Sequence, residues 1–238
     1  MTLKEIIDNS DNIVFFGGAG ISTESGIPDF RSEKGIYKTV QDFGCPPEEI
    51  LSHTFFMKKP DIFYAFYRSM MIYPDAQPNK AHSALASLEA KGKLRAVITQ
   101  NIDGLHQKAG SRTVYELHGS IHRNYCMKCG RFYGLDTIVN SHGIPRCGHC
   151  GGIIKPDVVL YEEGLDSETM ERSVEAIARA DVLIVGGTSL AVYPAAGFIQ
   201  YYRGNKLVLI NKGKTSYDRQ ADVLIHESLG SILGEFAD

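Results

Sequence analysis

Apolar residues in this chain fall in short runs, and polar, helix-patterned stretches separate them. The runs "NIVFF" (12–16), "RAVIT" (95–99), "TVYEL" (113–117), "DVLIVG" (181–186), "KLVLIN" (206–211) and "ADVLI" (221–225) are rich in β-branched residues and read as buried strands. Between them, "NKAHSALASLEAKG" (79–92) has apolar spacing near 3.6, and Gly92 is placed to end that helix. "DSETMERSVEAIARA" (166–180) opens on Asp and Ser with acids in its first turn, and "PAAGFIQYYRG" (194–204) opens on Pro and closes on Gly. Strands alternating with helices predict an α/β fold with a doubly wound parallel sheet.

Two regions break the rhythm. Residues 31–78 hold the aromatic-rich stretch "FFMKKPDIFYAFYRSMMIYP", which reads as helical, and residues 120–156 hold two cysteine pairs among glycines and polar residues. The expected organisation is a sheet domain made of 1–30, 79–119 and 157–238. It carries a helical insertion (31–78) and a cysteine-bearing insertion (120–156), which together form a smaller domain.

Composition narrows the class. The chain has 238 residues, enough for one large domain or a main domain with an insertion. A net charge of -3 and a pI near 6.2 argue against a nucleic-acid surface or a polybasic membrane patch. No apolar stretch approaches the roughly 20 residues of a membrane span. The start "MTLKEIIDNSDN" lacks the apolar core of a signal peptide, so a cytosolic protein is expected.

Four of the five cysteines form the motifs "CMKC" (Cys126, Cys129) and "CGHC" (Cys147, Cys150), separated by seventeen residues, Gly130 to Arg146. In a reducing compartment that spacing indicates one tetrahedral zinc ion held by four thiolates. Four thiolates leave no position for water, so the expected zinc is structural. Cys45 stands apart and reads as a loop or buried thiol.

The stretch "VFFGGAGISTESGIPDFR" (14–31) runs from an apolar strand into glycines and then into a polar segment. Gly18 and Gly20 begin a G-x-G-x-x-G fingerprint, but Thr23 stands where the third glycine belongs. No strand ending in Asp or Glu follows at the usual distance of about 20 residues to hold an adenine ribose. Hydride-transfer chemistry is therefore poorly supported, although the glycines suit a pyrophosphate, to which Ser22 and Thr23 can add hydroxyl donors. Other strand ends add polar groups: Gln100, Asn101, Asp103 and His106 after one, His118 after the next, then Gly187, Thr188 and Ser189, and Asn211. Ligands of open α/β sheets bind at such carboxyl ends.

"GAGIS…SGIPDFR", "TQNIDGLH", "LHGS", the paired CxxC motifs, "GTSL" and "IN" occur here in the order found in sirtuins, the NAD-dependent protein deacylases, and the chain resembles that family over almost its whole length. The resemblance implies a Rossmann-like sheet domain with a smaller zinc-ribbon plus helical module. NAD is implied as a consumed co-substrate, and acetylated lysine in proteins or peptides as the acyl donor. The implied reaction moves the acetyl group to ADP-ribose and releases nicotinamide, O-acetyl-ADP-ribose and free lysine.

Residue by residue, the resemblance sets Gly18, Ala19 and Gly20 at the NAD phosphates, with Thr23 and Arg31 nearby and Phe30 over the nicotinamide ribose. Asn101, Ile102 and Asp103 form the nicotinamide pocket, with Gln100 beside the ribose. Gly187, Thr188, Ser189 and Asn211 hold the adenosine half, and Glu227 closes on the adenine. His118 is the implied general base, suited by a pKa near neutrality, with Asn101 beside it as a catalytic residue. Val159, Leu160 and Tyr161 pair with the substrate backbone, opposite Val192 and Tyr193.

Two positions depart from the family pattern. Gly17 stands where Thr usually precedes "GAG", and Glu162 replaces a glycine in the peptide-binding loop, which predicts a bias against acidic peptides. Desuccinylating members carry a Tyr-x-x-Arg pair in the helical module. Here Tyr64 is followed by Tyr67 three residues on and Arg68 lies one place off, so acetyl is the expected acyl group. Other readings are an ADP-ribosyl transferase, a silent NAD sensor and a zinc-ribbon nucleic-acid binder, the last opposed by the acidic pI. The oligomeric state is not legible, and a monomer is compatible with the sequence.

Overall fold

A computed structural model describes residues 2–30, 36 and 43–237. Six strands form one parallel sheet: β1 (Ile13–Gly17), β2 (Leu94–Thr99), β3 (Val114–Glu116), β7 (Val182–Gly186), β8 (Lys206–Ile210) and β9 (Val223–Ile225), in the order β3-β2-β1-β7-β8-β9. All five pairings are parallel. This is the Rossmann-like order expected from strand–helix alternation, and it reverses between β1 and β7, where a ligand crevice opens. Every residue of β1 and β7 is buried, which is why these segments read as unbroken apolar runs.

The remaining strands, β4 (Gly119–Cys126), β5 (Phe132–Tyr133) and β6 (Ile154–Val158), form a separate antiparallel sheet in the order β5-β4-β6.

Helices follow the caps written in the sequence. The first, α1 (Leu3–Asp8), begins at a Thr2–Glu5 capping box. In the helical insertion lie α2 (Pro47–Ile50), α3 (His53–Lys58) and α4 (Pro60–Met70), with Ser52 accepting the Phe55 N–H to start α3. Phe63, Tyr64, Phe66 and Tyr67 of α4 are all buried, and the rings of Phe63 and Tyr67 stack at 5.4 Å. They join Ile121, Cys126, Ile138, Cys147 and Ile154 in one apolar cluster. The helical segment and the zinc-type ribbon thus share a core, while two further clusters fill the two faces of the large sheet.

Then come α5 (Lys80–Ala90), α6 (Leu105–Ala109), α7 (Leu135–Val139), α8 (Ser167–Arg179) and α9 (Leu229–Leu233). The segment 194–204 differs from its predicted helix: it forms a 3-10 helix over Ala195–Tyr201, with Gly197 N–H bonding the Pro194 carbonyl three residues back. The short helices α1, α6 and α9 span at most two turns, too few for an apolar period to stand out.

Candidate active site

The crevice is built where β1 and β7 part. The Gly18 N–H reaches the Gly186 carbonyl at 3.3 Å and the Gly20 N–H reaches that of Gly187 at 2.8 Å, so the two glycine turns lie against each other. A side chain at Gly20 would sit 2.6 Å from the Gly187 Cα, and Gly187 itself has φ +61. The glycines therefore serve backbone-to-backbone approach. Thr23, which stands in place of the third fingerprint glycine, spends its hydroxyl on the Gly20 carbonyl at 2.9 Å. Gly17 also has a local reason: a Cβ there would lie 2.4 Å from the buried Phe15 ring.

The polar segment after the turn is anchored on both sides. Glu24 accepts the Gly230 N–H at 2.7 Å and the Ser228 hydroxyl at 3.2 Å, while Asn79 donates to the Ile21 carbonyl and the Ser25 hydroxyl. Two 3-10 turns, Ala19–Ile21 and Thr23–Ser25, replace the helix that a dehydrogenase turn would feed.

Beside this turn lies the loop after β2. The buried Ser22 hydroxyl donates to Asp103 Oδ2 at 2.7 Å and accepts from Asn101 Nδ2 at 3.0 Å. The other Asp103 oxygen accepts the Leu105 N–H at 2.9 Å, and the Asn101 N–H donates to the Thr99 hydroxyl at 3.0 Å. These bonds hold Asn101 and Asp103 in fixed directions. Ser22 is thus a site residue that sequence reasoning credited only with a phosphate contact. Its partners lie 79 and 81 residues away, and nothing local signals them.

His118 follows β3. Its Nδ1 lies 3.0 Å from the Gln100 carbonyl, which can only accept, so Nδ1 carries the proton and Nε2 keeps its lone pair. Burial lowers the His118 pKa, and the bond to Gln100 opposes that in part. The imidazole is therefore neutral at pH 7, the form a base requires. The His118 carbonyl accepts the Val159 N–H at 3.0 Å, which joins the histidine to the segment expected to hold peptide.

One cavity of about 1160 Å³ runs through all of these elements. Every dinucleotide and peptide residue named from the sequence lines it, Phe30 and Glu227 included, except Arg31, which lies outside the described residues. The volume exceeds the roughly 300–1,000 Å³ of a single small-ligand pocket. Along the cavity Gln100 Nε2 donates to Thr188 Oγ1 at 3.1 Å, and the Asn211 side chain donates to the Gly213 carbonyl at 2.7 Å.

The structure adds detail to two expectations about substrate. Glu162 does occupy a glycine-like conformation, with φ +75, but its carboxylate turns back to accept the Thr54 N–H at 2.8 Å at the start of α3. Hydrogen bonding from Thr54, its side chain first and then this N–H, lowers the Glu162 pKa. Its neighbour Glu163 bonds His53 at 2.9 Å, Lys155 at 3.1 Å and the Leu160 N–H at 2.9 Å. The loop's acids are thus hydrogen-bonded within the protein. Second, the tyrosine that lines the cavity is Tyr67, followed three residues on by Met70. Tyr64 donates to the Ile154 carbonyl, and Arg68 bonds the Ile138 carbonyl at 2.9 Å and Ser141 at 2.6 Å. Both side chains face the ribbon.

The four ribbon thiols converge, with all sulfurs within 4.8 Å of one another, and Cys126–Cys150 and Cys129–Cys147 at 3.4 and 3.6 Å. A tetrahedral Zn–S₄ site with bonds of about 2.3 Å puts sulfurs about 3.8 Å apart, so these residues fit zinc. The Tyr133 hydroxyl donates to Cys147 at 3.0 Å and pulls that thiol down to about 5, favouring the thiolate a metal needs. His149 takes no part in the cluster. Cys45 is half-buried with its sulfur 3.6 Å from the Phe43 carbonyl, and it lies apart from the site.

The Sir2 family profile matches residues 18–194. A protein of Clostridium acetobutylicum described as an NAD-dependent protein deacetylase is 62% identical over 97% of this chain and 95% of its own length. A Clostridium perfringens protein with the same description is 58% identical over 99% and 97%. Among solved structures, a Sir2 protein with a deacetylated p53 peptide and 3'-O-acetyl ADP ribose superposes with a TM-score of 0.89 at 40% identity, covering 98% of this chain and 96% of that one. A Sir2 homologue in complex with NAD superposes at 0.88 and 37% identity, over 100% and 93%. This chain belongs to the Sir2 family, the sirtuins.

Proposed function

We infer that this chain is an NAD-dependent protein lysine deacetylase. It transfers the acetyl group of acetyl-lysine to ADP-ribose and releases nicotinamide, O-acetyl-ADP-ribose and deacetylated lysine. Relatives 55–62% identical carry that activity in their descriptions. The observation that carries the reading is the neutral, half-buried His118 in one cavity with the glycine turn and with Val159.

Each residue then has a physical task. The paired turns Gly18–Gly20 and Gly187–Ser189 let the dinucleotide phosphates and adenosine approach the backbone closely, helped by Asn211 and Glu227. Asp103, oriented by Ser22, accepts from the nicotinamide carboxamide, and Asn101 and Ile102 shape that pocket with Gln100 and Phe30. Cleavage of the nicotinamide–ribose bond builds positive charge on the ribose, and the acyl oxygen of acetyl-lysine attacks from the opposite face. His118 Nε2 then takes a proton from a ribose hydroxyl. Val159, Leu160 and Tyr161 hold the peptide backbone opposite Val192. Cys126, Cys129, Cys147 and Cys150 would hold a zinc ion that supplies folding free energy, since four thiolates leave no open position for chemistry.

The division into an NAD-binding domain (1–30, 79–119, 157–238) and a small domain (31–78, 120–156) belongs to the same reading. The shared core of the helical segment and the ribbon supports it. No helix among the described residues is long and apolar enough to cross a membrane.

The test is His118→Ala. NAD binding is expected to persist while deacetylation falls by at least about a hundredfold, the lower range for losing a general base. Undiminished deacetylation in that variant would remove His118 from the mechanism.

A further inference from the structure

The β4–β6 pairing slips. Gly119 faces Val158 and Ser120 faces Asp157, but Pro156 faces Asn124, so Ile121, His122 and Arg123 bulge out of the ladder. The bulge reaches the catalytic loops. The Ile121 N–H donates to the Ile102 carbonyl at 3.0 Å, and His122 Nε2 lies 3.2 Å from the Asp103 carbonyl. Arg123 closes it on the other side, with Nη1 2.6 Å from Glu116 and Nε 2.7 Å from Asp157. Glu116 lies two residues before His118, and Asp157 lies two residues before Val159. One guanidinium therefore braces both strands whose next residues form the His118–Val159 bond.

We propose that Arg123 is a positioning residue for deacetylation: by joining Glu116 to Asp157 across the β4 bulge, it fixes His118 against the peptide segment and seats the Ile102–Asp103 loop. The proposal rests on the functional reading above and extends it to a residue outside the cavity. It also gives the ribbon a route to the chemistry, because Arg123 and Cys126 sit on the same strand. Arginine is required, since its fork offers separate nitrogens to two carboxylates, whereas lysine offers one point charge. Glu116 is only 8% exposed, so loss of Arg123 leaves a nearly buried carboxylate without its cation.

The experiment compares wild type, Arg123→Met, Arg123→Lys and the double variant Glu116→Gln/Arg123→Met. The readouts are kcat, KM for acetyl peptide, NAD affinity, zinc content and melting temperature. Arg123→Met is expected to lower kcat about tenfold or more while NAD affinity stays within about twofold and one zinc is retained, because small misplacements of reacting groups slow turnover. Arg123→Lys should recover only part of kcat. The double variant removes the stranded charge, so its melting temperature should return towards wild type while kcat stays low. A kcat for Arg123→Met within about twofold of an active wild type overturns the inference alone, since the misplacement expected of a positioning residue would be absent. So does a double variant that recovers kcat together with melting temperature, which marks a merely structural role, or full recovery by lysine. A wild type that deacetylates nothing overturns the functional reading, and this inference with it.

Discussion

Beneath the nicotinamide loop lie two buried histidines, and they make acid stability a quantitative prediction. His82 and His106 pack edge to face at 4.8 Å, and the His82 Nε2 and both His106 nitrogens lack a hydrogen-bond partner among the described residues. Burial lowers the His82 pKa to about 4 and the His106 pKa well below its ordinary value, the latter aided by charge repulsion from His82. Above the ordinary value of 6.5, native and unfolded chains both hold these rings neutral and stability is full. As pH falls through that value the unfolded chain takes up protons that the native chain refuses, so stability is lost until the native His82 titrates near 4. Between pH 7 and pH 5 this amounts to about 2 kcal/mol for His82, and His106 acts in the same direction. Urea unfolding followed by circular dichroism at pH 7, 6 and 5, on wild type and His106→Phe, reads the effect. Proton competition for the zinc thiolates is common to both proteins and cancels in the difference. Wild type should lose at least about 2 kcal/mol over the window and the variant clearly less. Equal losses in the two proteins would refute the reasoning.

Other consequences concern the peptide loop and the acyl group. Glu162→Ala loses the bond to Thr54 and keeps the left-handed backbone, so it should destabilise by about 1–2 kcal/mol, whereas Glu162→Gly relieves the strain and should sit closer to wild type. Thermal unfolding of both variants decides, and equal melting temperatures would contradict the assignment of strain. With Met70 at the cavity wall, Arg68 committed to the ribbon and no Lys or Arg at the acyl end among the described lining residues, acetyl peptide should turn over faster than its succinyl counterpart. Equal or better succinyl turnover would overturn that preference.

Much of this site was legible because its contacts come from the ends of apolar runs. Gly18, Gly20, Asn101, His118, Gly187 and Asn211 each closely follow a strand of the large sheet, and a parallel sheet delivers such positions to one edge. The cysteine spacing carried the ribbon in the same way, since each CxxC turn sets its own geometry. What stayed hidden depends on partners distant in sequence. Ser22 looked like a phosphate donor until its bonds to Asn101 and Asp103 were in view. Periodicity marks the apolar face of α4 but does not say which tyrosine meets the cavity, because Tyr64 and Tyr67 are both fully buried. Glu162 was judged by its charge, whereas its backbone angle and its cap on α3 decide where that charge points. The β4 bulge has no sequence signal of its own. It exists because Asn124, three residues beyond its expected register, pairs with Pro156.

The most direct measurement of the central claim is the stoichiometry of products. The chain is incubated with NAD and an acetyl-lysine peptide, and nicotinamide, deacetylated peptide and acetyl-ADP-ribose are quantified together by mass spectrometry. The account predicts that the three rise in equal amounts and that none forms without the peptide. Nicotinamide release accompanied by ADP-ribosylated protein, or deacetylated peptide without acetyl-ADP-ribose, would contradict it.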